Sequence, residues 1–337
     1  MHVLVTGGGG FLGRTICEQL VARGDRVRSF GRGAYPELEA LGIEAHRGDL
    51  ADRRALTAAC DGVDGVIHAA ARPGISLDWR GYETTNVHGT QHVIDACRMS
   101  DVSRLVYTSS PSVTFAGRDQ NGVDERGPYD FAWMETRRAH YSRSKALAEQ
   151  AVLAANDADL RTCALRPHLI WGPRDAHLIP RLIDRARRGR LRRVGDGTNL
   201  VDICYVENAA AAHLAAADAL ADPNSTVAGR AYYISQGEPV NCWQWIDDVL
   251  ALAGLPAVQK SMSYNAARRL GAACEWVYCT LRLRGEPPMT RFLAAQLAKS
   301  HWYDISAARR DLGYEPRIST AEGMRRLGAW LHGKNGT

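Results

Sequence analysis

Apolar positions alternate between two periods along the first half of the chain. Short runs rich in apolar and β-branched residues, HVLVT (2–6), RVRSF (26–30), IEAHR (43–47), DGVIHAA (64–70), RLVYTSS (104–110) and LRTCALRP (160–167), are separated by amphipathic or alanine-rich stretches of helical length. Runs of this size read as strands and the stretches between them as helices. Repeated strand–helix–strand alternation implies an α/β fold of the Rossmann type, with a doubly wound parallel sheet covered by helices on both faces. After Pro167 the pattern loosens into loops, helices and short strands such as VDICYV (201–206) and RAYYIS (230–235). The reading therefore divides the chain into a core of residues 1–167 and a smaller mixed region of 168–331 with segments returning to the core. The terminal HGKNGT is expected to fray.

Composition adds mainly exclusions. With 45% hydrophobic and 23% charged residues, the 337-residue chain has the balance of a folded protein rather than a disordered one. No apolar run is long enough to span a bilayer, and Met1 leads into HVLV without a charged leader, so the expected address is cytoplasmic. The eight cysteines are scattered with no CxxC, which predicts neither a metal site nor a disulfide framework. The net charge of +5 rests on arginine, since only Lys145, Lys260, Lys299 and Lys334 are lysines.

The chemistry begins at VTGGGGFLG. Gly7, Gly10 and Gly13 stand at GxxGxxG spacing after the first predicted strand, and Phe11 and Leu12 open the following helix. Glycines there permit a tight turn and close approach of backbone to a pyrophosphate, whose charge is favoured at a helix N-terminus. The second strand ends SFGRG, with Gly31 where an acidic residue would hold the ribose hydroxyls of NAD and Arg32 next to it. A guanidinium suits a 2′-phosphate, so the expected cofactor is NADP(H) in preference to NAD(H). In RGDL, Asp49 and Leu50 close the third strand, where the carboxylate can accept from an adenine amino group. Ala69 and Ala70 in HAAA supply small side chains beside the cofactor.

HYSRSKA places Tyr141 and Lys145 four residues apart on one face of a predicted helix. With 12 tyrosines and four lysines in the chain, this is the only place where a lysine follows a tyrosine by four residues. An ammonium and a positive nicotinamide would favour the phenolate, so that Tyr141 can exchange a proton with a carbonyl or alcohol oxygen. Upstream, YTSS ends the fifth strand at the edge where ligands bind in open α/β sheets. Ser110 is the candidate hydroxyl for the reacting oxygen, with Ser109 and Thr108 as alternatives.

The motifs TGGGGFLG, GDL, HAAA, TNVHGT, YTSS, YSRSK and LRPHLIWGP occur in the order found in the extended short-chain dehydrogenase/reductase family, which the chain resembles over nearly its whole length. The resemblance implies that Asn86 braces the cofactor side of the site and that Pro167 and His168 approach the nicotinamide carboxamide. It assigns proton transfer to Tyr141 rather than His168, and leaves His140 and His177 structural. SSPSVTFAG, LIWGPRDAHLIPRL and VGDGTNLVDICYVENAAAAHL look closest to the 3β-hydroxysteroid dehydrogenase-like branch. The chain is also similar to the bacterial 2-alkyl-3-oxoalkanoate reductases of long-chain olefin biosynthesis, on GTQHVIDACR and PPMTRFLAAQL among others.

That similarity implies NADPH-dependent reduction of the 3-keto group of a lipid-like 2-alkyl-3-oxoalkanoic acid, reversibly. It also implies a homodimer pairing the Tyr141 helix with the helix from about Tyr82 to Arg98, and is compatible with association with other enzymes of the pathway. Two alternatives share the residues: 3β-hydroxysteroid or 4-carboxysterol oxidation, and sugar-nucleotide epimerisation. Dehydration is disfavoured because Ser109 and Ser110 stand where dehydratases carry an Asp-Glu pair. A non-catalytic NADP sensor is disfavoured because Tyr141 and Lys145 are both present.

Two further stretches bear on partners. PRLIDRARRGRLRR carries seven arginines from Arg181 to Arg193, and its spacing fits a helix with one solvated face rather than a nucleic-acid site. GAACEWVYCTLRL (271–283) is too short to span a membrane and is read as a cap or core helix able to touch a membrane surface. It lies in a region, Ser261 to Lys299, whose Met262, Trp276, Val277, Tyr278, Leu281, Leu283, Met289, Phe292 and Leu297 are an apolar supply for a substrate site.

Overall fold

Strands β1 (His2–Thr6), β2 (Arg26–Gly31), β3 (Glu44–Arg47), β4 (Gly65–His68), β5 (Arg104–Thr108), β6 (Arg161–Pro167) and β7 (Arg230–Ile234) form one parallel sheet in the order β7-β6-β5-β4-β1-β2-β3. The computed structural model from which this is taken describes residues 1–334. The order reverses between β1 and β4, and such a switch point leaves a crevice at the carboxyl ends of the strands.

Side chains leave a strand on alternate faces, and both faces of this sheet are covered. Val3 and Val5 pack with Ile16 and Leu20 of α1 (Phe11–Ala22) on one side, whereas Leu4 packs with Val93 and Ile94 of α2 (Gly89–Met99) on the other. Ala148 and Val152 of α3 (His140–Ala154) share the second face, and the alanines of α4 (Val206–Ala219) share the first. This two-sided burial explains why the strands read as continuous apolar runs. Each fully buried Val, Leu or Ile contributes about 1.5–3 kcal/mol.

The chain after Pro167 differs from the expectation in detail. RAYYIS becomes β7, an edge of the main sheet, paired with β6 from Arg230↔Cys163 to Ile234↔Pro167. VDICYV is not one strand but two, Leu200–Val201 and Cys204–Tyr205, broken at the buried Asp202. The Asp202 carboxylate accepts from the main-chain N–H of Tyr303 at 2.8 Å, and its own N–H donates to His301 O at 3.1 Å. A third apolar cluster, with Trp171, Ile179, Trp243, Trp245 and Ile246, lies in this half.

The arginine-rich stretch is helical only over Leu178–Arg187, with Ile179, Leu182 and Ile183 buried. The segment 271–283 belongs to a longer helix, α5 (Tyr264–Thr280), of which only Ala267, Gly271 and Glu275 are buried. It is therefore not a core helix, because one narrow stripe already seats it. The last three residues of HGKNGT lie outside the described residues, and its first three continue the terminal helix Thr320–Lys334. Among the described residues all cysteines are free, no group of side chains is arranged to hold a metal, and no helix is long and apolar enough to cross a membrane.

Candidate active site

The glycine turn joins β1 to α1 through backbone contacts that side chains would block. Gly7 has φ +73°, and a Cβ there would lie 2.9 Å from Ala70 Cα, so the turn rests directly on the end of β4. A Cβ on Gly13 would fall 2.1 Å from Gly7 O. Gly10 N–H closes the turn on Gly7 O at 2.8 Å, while Ala69 and Ala70 donate to the main-chain and hydroxyl oxygens of Thr6 at 3.2 and 3.3 Å. Gly10 is the N-cap of α1 and supplies no side-chain acceptor, and the first turn from Phe11 and Leu12 carries no acid. Its N–H groups thus face a glycine-lined concavity suited to a pyrophosphate.

Arg32 is 81% exposed, with Nε 4.0 Å from the Asp49 carboxylate. Asp49 also accepts from Ala51 N–H at 2.9 Å. Leu50 is buried against Gly89, and its carbonyl accepts from His92 Nδ1–H at 2.8 Å, so it is a strut under the loop. Tyr35 escaped the sequence reading. Its ring lies where a Cβ on Gly9 or Gly33 would stand, 2.2 and 2.7 Å away, covering the glycine loop beside Arg32. The available signal was an aromatic four residues after Gly31, in a stretch otherwise poor in side chains.

Ser110 and Tyr141 come together as expected. Burial raises the Tyr141 phenol above its ordinary range, and a hydrogen bond with the Ser110 hydroxyl draws it back down. The Ser110 hydroxyl also donates to Ser112 Oγ at 3.0 Å. Ser109, the alternative, is buried with its hydroxyl unpartnered. Lys145 follows Tyr141 by one turn of the same helix. Its ammonium donates to the main-chain carbonyl of Thr108 and lies 4.1 Å from the centre of the Tyr107 ring. Burial pulls its pKa down to about 7, with the buried Glu149 one turn on opposing the shift.

Asn86 ties the site together from an unforeseen element. The helix expected from about Tyr82 to Arg98 is interrupted by a π-helical turn, Glu83–His88, which carries Asn86 inward. Its Oδ1 accepts from Arg72 N–H at 2.7 Å, and its Nδ2 donates to Arg72 O at 3.1 Å and Ser144 Oγ at 2.9 Å. Ser144 in turn donates to Tyr141 O at 2.8 Å. The loop after β4 is thereby fastened to the helix bearing Tyr141.

At the end of β6, Pro167 is followed by a buried His168 that meets His301. His301 Nε2–H donates to Gln296 O at 2.9 Å, which leaves its Nδ1 to accept from His168 Nε2–H at 2.6 Å. Burial holds both imidazoles well below their usual range, His301 at about 4. His168 is thus a neutral ring with a fixed tautomer and a free Nδ1 lone pair, and is unsuited to be the acid. His301 lies 133 residues downstream, beyond any motif spacing.

A cavity of about 510 Å³ opens beside this assembly, lined by Arg72, Leu77, Tyr278, Arg282, Leu283 and Arg284 among others. The same loop packs on Tyr82, whose ring centre is 6.3 Å from that of Tyr141. The apolar supply expected from Ser261 to Lys299 is divided. Tyr278 and Leu283 line the cavity, Met262, Met289 and Leu297 join the third core, Phe292 packs on Phe115 and Trp133, and Trp276 and Leu281 face solvent.

Comparison with known proteins agrees with this geometry. Residues 4–262 match the 3-beta hydroxysteroid dehydrogenase/isomerase family. The chain is 52% identical over 329 residues to a 2-alkyl-3-oxoalkanoate reductase of Stenotrophomonas maltophilia, covering 98% of this chain and 99% of that one. It is 34% identical to the human decarboxylating sterol-4-alpha-carboxylate 3-dehydrogenase, over 96% of this chain and 86% of the relative. Among solved structures, the NAD complex of a UDP-glucuronic acid 4-epimerase from Bacillus cereus shares the fold, with a TM-score of 0.75 at 21% identity and 99% coverage of both chains.

Proposed function

The chain belongs to the 3-beta hydroxysteroid dehydrogenase/isomerase family, and on that premise we propose that it reduces the 3-keto group of a long-chain 2-alkyl-3-oxoalkanoic acid to the 3-hydroxy acid with NADPH, reversibly. The observation that carries the reading is the 52% identity to a 2-alkyl-3-oxoalkanoate reductase from end to end.

The residues present fit a nicotinamide dinucleotide. Gly7, Gly10 and Gly13 with the open first turn of α1 would hold the pyrophosphate, Asp49 the adenine, and His168 the carboxamide through its free Nδ1. Arg32, with Gly31 in the usual acid position, supports NADP(H) over NAD(H), because its exposed guanidinium is available to a 2′-phosphate. Bound NADPH supplies the hydride that adds to C3 of the substrate.

The protein's part is the proton. The Ser110 hydroxyl and Tyr141 phenol together address the carbonyl oxygen, and Tyr141 Oη–H passes its proton to the oxyanion that forms there. Lys145, held at Thr108 beside the site, would bear on the nicotinamide ribose and favour the phenolate left behind. In the reverse direction the phenolate accepts the proton from the 3-hydroxyl.

Oxidation of a 3-hydroxy sterol acid is the second reading, favoured by the 34% identity to the human sterol dehydrogenase. A homodimer formed by α3 and the Tyr82–Arg98 helix completes the proposal. Sedimentation at micromolar concentration should show a dimer, and a monomer contradicts it. Assay of the purified protein with NADPH against a branched β-keto acid, a ketosteroid and a UDP-sugar tests the activity: turnover of the first alone is the expected outcome, and turnover of only the steroid or the sugar nucleotide refutes it.

A further inference from the structure

The GxxGxxG spacing accounts for Gly7, Gly10 and Gly13 and leaves Gly9 and Gly33 without a reason. Tyr35 supplies one. A Cβ on Gly9 would fall inside the Tyr35 ring, and a Cβ on Gly33 would stand 2.7 Å from the ring and from its hydroxyl oxygen. The ring is thus a wall shared by two loops, the glycine turn after β1 and the GRG turn that leaves β2. Its root is fixed, because the Tyr35 carbonyl accepts from the N–H of the fully buried Leu38 at 2.9 Å. The hydroxyl has no partner among the described residues and lies at Gly33, next to Arg32.

A second arginine stands at the same place. Arg47 closes β3 opposite Gly31, and its Nε–H donates to the main-chain carbonyl of Arg32 at 3.0 Å. That bond holds the guanidinium at the strand ends while both terminal amino groups stay without a partner among the described residues. The carboxylates nearby do not neutralise the pair. Asp49 comes no closer than 4.0 Å to Arg32 and accepts from Ala51 N–H, Glu37 pairs with Arg14 at 3.3 Å, and Glu44 pairs with Arg28 at 3.1 Å. Glu39 follows Tyr35 by one turn and ends the helix Pro36–Glu39. Two guanidinium groups and a hydroxyl beside a strand end that lacks its acid are a donor set for a phosphomonoester dianion, whose oxygens match the planar guanidinium fork.

We propose that Arg47 and the Tyr35 hydroxyl complete, with Arg32, a ready-made site for a ribose 2′-phosphate, so that three residues rather than Arg32 alone set the choice of cofactor. The inference rests on the NADP(H) reading above and deepens it. Gly9 and Gly33 are glycines because the Tyr35 ring needs their space, and Arg47 is held by a main-chain bond so that little side-chain freedom is lost when the phosphate binds.

Equilibrium titration of the full chain with NADPH and NADH, read by cofactor fluorescence, and displacement of NADPH by 2′,5′-ADP or 5′-ADP test this without turnover. The wild type should bind NADPH much more tightly than NADH and release it to 2′,5′-ADP far more readily than to 5′-ADP. Arg47→Gln should weaken NADPH and 2′,5′-ADP about tenfold and Tyr35→Phe about threefold, with NADH held within about twofold and thermal unfolding unchanged. Arg32→Ala combined with Arg47→Gln should abolish the preference. A wild type that binds NADPH no more tightly than NADH refutes the NADP(H) reading itself. A wild type that prefers NADPH, with either single variant unchanged in NADPH affinity or losing NADH equally, leaves that reading standing and overturns this inference.

Discussion

Lys145 donates its ammonium to the main-chain carbonyl of Thr108, at the end of the strand that leads to Ser110. The lysine is buried, and its pKa falls to about 7. In the unfolded chain a lysine titrates near 10.4, so the folded state carries the cost of a buried charge in full below pH 7. That cost fades as pH rises from about 7 to above 10, where neither state holds the proton. Lys145→Met should therefore stabilise the fold most below pH 7, by on the order of a few kcal/mol less the lost hydrogen bond, and not at all near pH 10.5. Thermal unfolding across this range checks it, and a gain that grows with pH would contradict the assignment.

Tyr141→Phe removes the acid's hydroxyl and little else. It should lower kcat by about 10²–10⁴-fold while leaving the dissociation constant for NADPH, read from cofactor fluorescence, nearly unchanged. Near-normal turnover would identify a different acid, and a large loss of cofactor binding would make Tyr141 a structural residue.

Arg32→Ala isolates the cofactor preference. Removing a charge-assisted contact to a phosphate should weaken NADPH binding roughly ten- to a hundredfold and leave NADH binding unaffected. Equal losses for the two cofactors would place the 2′-phosphate elsewhere on the protein.

What could be read in advance depended on how local the cause was. Val3, Leu4 and Val5 announce a strand because each face of the sheet has its own core, and Gly7 and Gly13 announce the turn because backbone contact excludes side chains. The distance of 31 residues from Ser110 to Tyr141 was likewise legible through flanking motifs. The role of Asn86 was legible only by resemblance, since its inward position comes from a π-helical turn that tertiary packing imposes. The Thr108 carbonyl that receives the Lys145 ammonium is a feature of the folded strand end and has no mark in the sequence, and His301 was missed because its partner is 133 residues away. The exposure of α5 was hidden for a similar reason. Its apolar count suits a core, but Gly271 against the Thr290 backbone leaves one side filled and the other outside.

The central claim is that a flexible, long-chain 2-alkyl-3-oxo acid is the substrate. Each methylene buried in an apolar site contributes about 0.8 kcal/mol, so binding expressed in the transition state should grow with chain length until the site is full. The most direct measurement is kcat/KM with NADPH across a homologous series of 2-alkyl-3-oxoalkanoic acids. The account predicts a severalfold rise for each added pair of carbons followed by a plateau, whereas a flat profile, or activity confined to a fused-ring 3-keto or 3-hydroxy substrate, would contradict it.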